Sequence, residues 1–504
     1  MVARCYSVAF QGIEPREIDV QCQISPGSPS FQVVGLPDKA VAESRERVRA
    51  ALTTLGVTMP NKRVVINLAP ADLPKVGALF DLPIAIAVLS ELGMIPPEEA
   101  VGVLALGELG LDGRIAPVPG VLPAAVQAAA SGRLLVCPEA NGAEAAIVGA
   151  AQIAAPDSIV ALVNHLNGRQ ALPRPEPAEE EALADYPDLA DVKGQEKARR
   201  ALEIAAAGGH NLMMVGPPGV GKSMLARRLP GILPLLNATE ALELSMIRSV
   251  AGQIHGGRLG RGRPFVDPHH SASTPSLVGG GRMAGPGQIS LAHHGVLFLD
   301  ELAEFQPAVL DSLRQPLETG EIVVSRANAH VRYPSRVQLV AAMNPCRCGY
   351  LANPGRACSR APRCGQDYQS KISGPLLDRI DLLVETPSIP AAELGRLPAG
   401  ETSARVASRV AEARLRQAER FQALGSALRL NAHAEGELLE EAARLTPDAR
   451  ALLGQAAEKL DLSARGMSRA LRLARTIADL AGEDDLRRPH VAEAVSYRRA
   501  LSRG

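Results

Sequence analysis

The residues best suited to chemistry in this sequence form a glycine-rich stretch that ends in lysine and serine. The stretch follows the apolar segment 211–215 and precedes a helical pattern. It consists of Gly216, Pro217, Pro218, Gly219, Val220, Gly221, Lys222 and Ser223. Its glycines let backbone N–H groups turn toward phosphate oxygens, while the lysine neutralises phosphate charge and the serine hydroxyl binds Mg²⁺. This strand–loop–helix context predicts a P-loop for a nucleoside triphosphate.

Two carboxylates end a second apolar run further along the chain. Asp300 and Glu301 close the segment 295–301 (GVLFLDE). In such a position the first acid holds Mg²⁺ through water, and the second orients and polarises the attacking water. An apolar strand that ends in acids is common, but together with the P-loop it predicts ATP hydrolysis rather than nucleotide binding alone.

Two further polar side chains are candidates for the same site. Asn344 ends a third apolar run, 338–345, and could hydrogen-bond the attacking water, although strand-ending turn residues of this type are common. Arg379 stands between two acids within 373–385. It forms either a structural ion pair or an arginine finger that reaches the γ-phosphate bound by a neighbouring subunit.

Four of the seven cysteines lie close together in the pattern C-x-C-x9-C-x5-C. They are Cys346, Cys348, Cys358 and Cys364. Four thiolates could form a closed tetrahedral zinc site, and reduced loop thiols are the alternative. The first pair is C-x-C rather than the commoner C-x2-C, which weakens the zinc interpretation.

Two pairs of adjacent histidines, His269-His270 and His293-His294, are also possible metal ligands. Neighbouring side chains on a strand point to opposite faces, so each pair would chelate poorly. We therefore expect loop or core histidines at these positions.

Clustered arginines indicate a nucleic-acid surface. They lie in a glycine-rich stretch, 256–264, and in a hairpin pattern, 323–336. The arginines are Arg258, Arg261, Arg263, Arg326, Arg332 and Arg336. Loops of this kind could follow phosphates without reading bases, and a solvated charged surface is the alternative. Aromatic residues make up only 3% of the chain, so a duplex or junction backbone is a better target than stacked bases.

The elements that must position these residues fall into successive parts of the chain. Residues 1–168 alternate β-like and helical runs, and 169–188 is a Pro- and Glu-rich linker. Residues 189–395 alternate strands and helices, which predicts a parallel α/β core. Residues 396–504 show helical spacing throughout. Within the first part we expect a strand at 62–70, a helix at 82–93 and a hairpin around Asp112-Gly113.

Composition limits the class of protein. The chain has 504 residues, of which 46% are apolar and 21% charged, as in soluble globular proteins. Basic and acidic residues number 54 each, so net charge neither indicates nor excludes a nucleic-acid partner. No long apolar run predicts a membrane span or a secretory signal, and we expect a cytoplasmic protein.

Several of these motifs resemble the YifB/ComM family of Mg-chelatase-like AAA+ proteins. The resembling segments are 191–223, 267–281, 286–301, 341–350, 373–382 and, in the C-terminal lid, 463–482. The resemblance covers essentially the whole chain and implies an α/β P-loop AAA+ core with a helical C-terminal lid. It also implies a hexameric ATPase that uses ATP and Mg²⁺ to drive DNA branch migration during natural transformation. A protein-remodelling ATPase of the Mg-chelatase type is the alternative.

The same resemblance suggests further roles. Gly194 and Gln195 lie where the family packs adenine, and Arg379 matches the finger that acts on a neighbouring subunit. Arg465 and Arg469 lie four apart on one helix face, in the region of the lid that contacts nucleotide. Arg465 is the better match of the two.

Residues 1–168 resemble the proteolytic domain of Lon proteases, an α+β domain of the ribosomal S5 domain 2-like type. Segment 72–89 is similar to the stretch with Lon's catalytic serine, and 107–122 to the stretch that leads to its catalytic lysine. Those two positions hold Leu79 and Leu122. An isobutyl group can neither attack a carbonyl nor accept a proton, so we predict a binding or assembly platform and no peptidase activity.

Overall fold

The computed structural model describes residues 2–182, 185–254, 256–281, 284–326, 329–351 and 355–498, with the side chains of residues 325, 326, 329, 330, 391 and 394 excepted. Among the described helices, none combines the length and the apolarity that crossing a membrane requires.

The first part of the chain folds around a seven-stranded mixed sheet of order β3-β4-β2-β1-β5-β8-β9. Its strands, with the short pair β6 and β7, are β1 (Ala3–Gln11), β2 (Glu14–Ser25), β3 (Ser30–Val34), β4 (Arg63–Ala69), β5 (Val103–Ala105), β6 (Glu108–Leu109), β7 (Ile115–Ala116), β8 (Leu134–Val136) and β9 (Gln152–Ala154). Its helices are α1 (Lys39–Thr54), α2 (Asp81–Glu91), α3 (Pro97–Val101), α4 (Val121–Ser131), α5 (Gly142–Ala146) and α6 (Ile159–Leu166).

The local predictions for this part are confirmed. β4 and α2 lie where a strand and a buried helix are expected, and α2 buries all its residues except the last because it packs on β1 and β2. The turn at Asp112-Gly113 joins β6 and β7, which pair antiparallel with Leu109 opposite Ile115.

The middle part contains a five-stranded sheet of order β11-β14-β17-β10-β18, and every pair of neighbours in it is parallel. Its strands, with two separate hairpins, are β10 (Leu212–Val215), β11 (Phe265–Val266), β12 (Gly279–Gly280), β13 (Gly285–Pro286), β14 (Val296–Leu299), β15 (Glu321–Arg326), β16 (Ala329–Pro334), β17 (Gln338–Met343) and β18 (Leu382–Glu385). The helices are α7 (Glu196–Gly208), α8 (Lys222–Ala226), α9 (Ala238–Val250), α10 (Thr274–Val278), α11 (Gln288–Leu291), α12 (Pro307–Ser312), α13 (Arg314–Thr319), α14 (Arg363–Gln369), α15 (Gly374–Leu377) and α16 (Ala391–Leu394).

The strand pattern explains why three separate motifs meet. Strands β10, β14 and β17 are buried along their whole length, as expected for parallel strands covered on both faces. Because parallel strands end at one edge of a sheet, the residues that follow Val215, Leu299 and Met343 come together there. These are the P-loop, the acidic pair and Asn344, and a ligand is expected at such an edge.

Two hairpins extend from this core. The hairpin predicted for 323–336 is present as β15 and β16, and β12 pairs with β13 in the second one. The two lie side by side: a Cβ placed on Gly280 would be 3.7 Å from the side chain of Val324. The hydroxyl of Tyr333 on β16 also donates to the carbonyl of Ala284 at 2.9 Å.

The last part of the chain is helical, as predicted. Its helices are α17 (Ser403–Ala423), α18 (Gly436–Ala443), α19 (Pro447–Lys459), α20 (Ala464–Leu480) and α21 (Arg488–Ser496). Apolar faces of α17 and α20 pack on α7, which joins these helices to the core of the α/β part.

The end of α9 closes one face of the first part. Ser249 accepts the backbone N–H of Leu122 at 3.2 Å through its hydroxyl oxygen, and that hydroxyl donates to Glu144 at 2.5 Å. Leu122 and Glu144 are both buried. The position that resembles Lon's catalytic lysine therefore faces a helix of the same chain.

Candidate active site

The P-loop joins β10 to α8 through glycines that no other residue could replace without strain. A Cβ on Gly216 would lie 2.2 Å from the carbonyl oxygen of Thr386. Gly219 and Gly221 have φ angles of +79° and +91°, in the left-handed region that favours glycine. The close approach to Thr386, just after β18, therefore excludes a side chain at Gly216, whereas the backbone angle alone favours glycine at the other two positions.

Lys222 lies at the centre of the site with a nearly buried side chain. Its ammonium donates to the carbonyls of Gly216 at 2.7 Å and Pro217 at 2.9 Å, and to Oδ1 of Asn344 at 3.1 Å. Burial lowers the pKa of Lys222, and the negative charges of Asp300 and Glu301 oppose that shift. The phosphate groups of a nucleotide could replace these neutral acceptors and stabilise the buried charge.

The acidic pair meets the P-loop across the sheet edge. The Ser223 hydroxyl donates to Oδ2 of Asp300 at 2.6 Å, and the backbone N–H of Glu301 donates to Oδ1 at 2.8 Å. A hydroxyl beside a carboxylate is the type of oxygen donor set that suits Mg²⁺. When bound, Mg²⁺ neutralises charge on the phosphates. Glu301 has a φ of +50°, and its carboxylate is exposed.

Gln195 offers an unused acceptor near the P-loop. Its amide nitrogen donates to the carbonyl of Pro387 at 2.7 Å, whereas its Oε1 is buried with no hydrogen-bond partner among the described residues. Gly194 packs against Ile389 and Leu397, since a Cβ there would lie 2.5 Å and 3.1 Å from their side chains. An apolar wall with an orphaned acceptor fits a purine that carries an amino group.

Arg379 is fixed by its backbone and paired by its side chain. The side-chain amide of Asn211 donates to its carbonyl at 2.8 Å, and its guanidinium forms an ion pair with Glu318 on α13. Its Nε is buried without a partner among the described residues. Glu318 is more than half exposed, so the ion pair lies at the surface of the chain.

The two arginines of α20 differ in their surroundings. Arg469 is buried, and it donates to the carbonyl of Asp378 at 2.5 Å and to the carboxylate of Asp378 at 3.0 Å. It therefore ties the last helical part to the segment that carries Arg379. Arg465, one turn earlier, is exposed.

The cysteine cluster lies directly after Asn344. The sulfurs of Cys346 and Cys348 are 3.1 Å apart, and those of Cys346, Cys348 and Cys364 all lie within 4.8 Å of one another. Cys358 contacts both Cys348 and Cys364. The backbone N–H of Tyr350 and the neighbouring thiols lower the pKa of Cys348 to about 6, which favours its thiolate. Burial raises the pKa of Cys346, and the hydrogen bond with Cys358 raises that of Cys364, so without a metal only Cys348 is readily ionised. This arrangement fits a zinc ion.

The cluster also borders the P-loop. A Cβ on Gly349, which follows Cys348, would lie 2.5 Å from Cδ of Pro218. A metal that fixed the four thiolates would therefore support one wall of the nucleotide site.

We expect purified protein to contain about one zinc per chain, because four thiolates form a closed structural site. Elemental analysis of protein prepared in reductant without chelator measures this directly. Cys348→Ala should lose the metal, whereas the control Cys137→Ala, in the buried core of the first part, should retain it. Wild-type protein without zinc would reject the site.

The structure places His293 and His294 differently from the strand alternation that the sequence suggested, and together with Glu243 their ligand atoms lie within 4.8 Å of one another. That they are not metal ligands stays a prediction. His294 has a φ of +57°, so both rings lie on one side, 3.9 Å apart, and both reach Glu243. However, the backbone N–H of Arg336 donates to Nδ1 of His293 at 3.0 Å. The ring proton must then be on Nε2, which points to Glu243 and has no lone pair for a metal. Burial, assisted by the charge of His294, lowers the pKa of His293 to about 4.

The sequence pattern is wrong about one of the arginines that it assigned to DNA contact. Arg263 is buried, where its guanidinium donates to the carbonyls of Pro234 and His294 and pairs with Glu240 at 3.0 Å. It therefore cannot contact DNA. The exposed arginines of these segments are Arg258, Arg261, Arg332 and Arg336, while the side chain of Arg326 lies outside the described residues.

Sequence reasoning also missed two side chains that touch the candidate catalytic groups. Nδ1 of His270 lies 3.3 Å from Oε2 of Glu301, and Glu318 pairs with Arg379. Neither contact has a signal in the spacing, because the partners lie on separate elements. The strand order gives a hint of the first contact, because His270 lies in the segment that follows β11, which is parallel to β14.

Family comparisons agree over nearly the whole chain. Residues 188–394 match the family described as Magnesium chelatase, subunit ChlI. Residues 20–141 match the family described as Subunit ChlI of Mg-chelatase, and residues 400–498 match that described as Magnesium chelatase, subunit ChlI C-terminal.

Individual proteins with similar sequences belong to the same group. The chain is 43% identical over 503 residues to Competence protein ComM of Haemophilus influenzae, covering 99% of this chain and 97% of that protein. It is 43% identical over 491 residues to Uncharacterized protein YifB of Escherichia coli, covering 97% and 96%. It is 28% identical over 171 residues to the Magnesium-chelatase 38 kDa subunit of Cereibacter sphaeroides, covering 31% and 51%.

Proposed function

The chain belongs to the YifB/ComM family of Mg-chelatase-like AAA+ proteins, and from that premise we propose that it is an ATP-driven, ring-forming DNA motor. ATPase activity and the use of ATP and Mg²⁺ follow from the family. We propose in addition that hydrolysis drives branch migration of recombination intermediates. This would take place in the cytoplasm during natural transformation.

The proposed action on DNA rests on one structural observation. Two adjacent hairpins, β12–β13 and β15–β16, are built on the ATPase core, and β16 and the turn that follows it present exposed Arg332 and Arg336. Guanidinium groups on such hairpins can contact phosphates in any sequence, as a motor requires. The competence protein among the relatives supports the same class of substrate.

We assign the catalytic roles as follows. Glu301 activates the attacking water and Asn344 orients it, while Lys222 holds the phosphates and Ser223 and Asp300 hold Mg²⁺. Gly194 and Gln195 pack the base. The exposed Arg465 is the lid arginine, because Arg469 is engaged with Asp378. Arg379 acts on the nucleotide of a neighbouring subunit, which requires a homo-oligomer, proposed here as a hexamer.

The first part of the chain is proposed to be a Lon-like platform without a protease dyad. Leu79 and Leu122 are both buried, and neither carries a nucleophile or a base. Hydrogen bonds among Leu122, Glu144 and Ser249 connect this part of the chain to α9, which supports a platform attached to the ATPase part.

A protein-remodelling ATPase of the Mg-chelatase type is the second candidate. The 28% identity to a magnesium-chelatase subunit supports it, but that similarity spans only 31% of this chain. A synthetic four-way junction separates the two. The DNA motor should convert it to two duplexes only with ATP and Mg²⁺, and a purified ring that moves no junction would favour the protein-remodelling ATPase.

The hairpin arginines give a specific prediction. Arg332→Ala with Arg336→Ala should weaken DNA binding while basal ATPase survives, because Arg332 lies on β16 and Arg336 precedes β17, whereas the nucleotide-site residue Asn344 follows the opposite end of β17. DNA affinity falls as salt rises, and a plot of log affinity against log salt concentration has a negative slope. If each arginine contacts one phosphate, the double variant should make that slope shallower by about two units for each chain bound to DNA.

Binding titrations at several salt concentrations measure both effects, and adding Arg326→Ala tests the rest of the hairpin. A matched control is Arg16→Ala with Arg45→Ala, two exposed arginines of the first part whose partners are neighbouring acids. Equal losses in the control and hairpin variants would exclude a specific role for the hairpin.

A further inference from the structure

A turn in the first part of the chain contacts the hairpin that we assign to DNA. Gly12 and Ile13 form this turn, which joins β1 to β2. A Cβ placed on Gly12 would lie 2.1 Å from the carbonyl oxygen of Arg332 and 3.4 Å from Cγ1 of Val331. The backbone of the turn therefore lies directly against β16, at a distance that only glycine allows.

This contact holds the backbone of β16 and leaves its arginine side chain exposed. Val331 and Tyr333 are buried, whereas Arg332 between them is exposed. Ile13 packs against the apolar cluster that contains Val331 and Tyr333. Successive side chains of a strand point to opposite faces, so two buried neighbours and a fixed carbonyl define where Arg332 leaves the strand. The turn therefore helps to determine how the guanidinium of Arg332 is presented.

The first part of the chain also contacts the ATPase part at a second point near this turn. Phe10 on β1 packs against Gly120, since a Cβ on Gly120 would lie 2.4 Å from the ring of Phe10. The backbone N–H of Gly120 donates to the carbonyl of Ser249, at the end of α9, at 3.0 Å. The same part of the chain is thus attached both to α9 and to β16, and it can fix the position of the hairpin relative to the ATPase core.

We propose that the β1–β2 turn positions the β15–β16 hairpin for DNA, so that the first part of the chain contributes to DNA binding through the hairpin. Such a role for the platform requires no protease dyad. The contribution to DNA binding rests on the proposed function, whereas the positioning of the hairpin is independent of it.

Gly12→Ala tests the contact, because its methyl group would overlap the carbonyl of Arg332 and move the turn away from β16. Gly56→Ala is the matched control. Gly56 has a φ of +71°, close to the +73° of Gly12, and among the described residues beyond its chain neighbours no atom lies within 4 Å of a Cβ placed there. Both substitutions therefore impose similar backbone strain, but only Gly12→Ala should displace the hairpin.

Two measurements report on the hairpin and on DNA. Hydrogen–deuterium exchange of the β15–β16 amides should be faster in Gly12→Ala than in the wild type and unchanged in Gly56→Ala. Binding to a four-way junction should be weaker by about threefold or more in Gly12→Ala, within the range of coupling between residues in contact. The slope of log affinity against log salt concentration should become shallower by about one unit, as for the loss of one phosphate contact.

A double variant separates positioning from a general loss of stability. In an Arg332→Ala background, Gly12→Ala should cause little further loss of DNA affinity, because it acts through the position of Arg332. If Gly12→Ala cannot be purified in a folded form, Ile13→Ala tests the same turn. Its control is Val57→Ala, a partly buried side chain beside Gly56.

The outcomes also separate this inference from the proposed function. Wild-type exchange of the hairpin amides in Gly12→Ala would overturn the positioning, as would an equal change in Gly56→Ala. Faster exchange with wild-type DNA affinity, or an undiminished loss in the Arg332→Ala background, would overturn the contribution to DNA binding. Wild-type protein that binds no junction would instead reject the DNA motor, and the exchange measurement would still decide whether the turn positions the hairpin.

Discussion

Glu301→Gln should bind ATP with nearly wild-type affinity and lose turnover by about 100-fold or more, the usual contribution of a positioned general base. The carboxylate is exposed at the sheet edge, so the isosteric amide leaves the fold and the Ser223–Asp300 pair in place. Isothermal titration and a phosphate-release assay measure the two quantities separately.

Lys222→Ala should have the opposite effect, because it should weaken the binding of ATP itself. Its ammonium is buried among backbone carbonyls and contacts phosphate already in the ground state, so its loss should raise the Kd for ATP by about tenfold or more. Normal turnover by Glu301→Gln would exclude its role in water activation. Equal weakening of ATP binding in both variants would place Glu301 among the nucleotide-binding groups instead.

Arg379→Ala should bind ATP and lose hydrolysis by about 1,000-fold if the arginine stabilises the transition state from a neighbouring subunit. Mixing this variant with Lys222→Ala should restore part of the activity, because one type of interface then combines an intact P-loop with an intact Arg379. The mixture is measured as phosphate release at constant total protein.

Glu318→Ala distinguishes the finger from a structural ion pair. Glu318 is the described partner of Arg379, so a purely structural role predicts equal losses from either substitution. A finger predicts that Glu318→Ala retains most of the hydrolysis. Wild-type turnover by Arg379→Ala, or no recovery in the mixture, would remove the role across subunits.

Local chemistry in the sequence is enough to identify the parts of the ATP site. Each of these patterns is formed by residues that are neighbours in the chain. They are the glycines with a lysine and serine, the apolar strand that ends in Asp300 and Glu301, and the helical spacing of the last part. Strands such as Leu212–Val215 and Gln338–Met343 were therefore predictable, as was the hairpin around Asp112-Gly113. These features depend on backbone preference and on apolar periodicity, which short segments already contain.

Contacts between distant segments depend on strand order and on single backbone angles, which periodicity does not encode. The order β11-β14-β17-β10-β18 brings Asn344 to Lys222 and His270 to Glu301. A left-handed φ at His294 turns two histidine rings to the same side, against the alternation expected of a strand. Burial distinguishes the arginines, since Arg263 and Arg469 are enclosed by carbonyls and acids while Arg332 and Arg465 remain exposed. Only the packed structure determines which charges are enclosed.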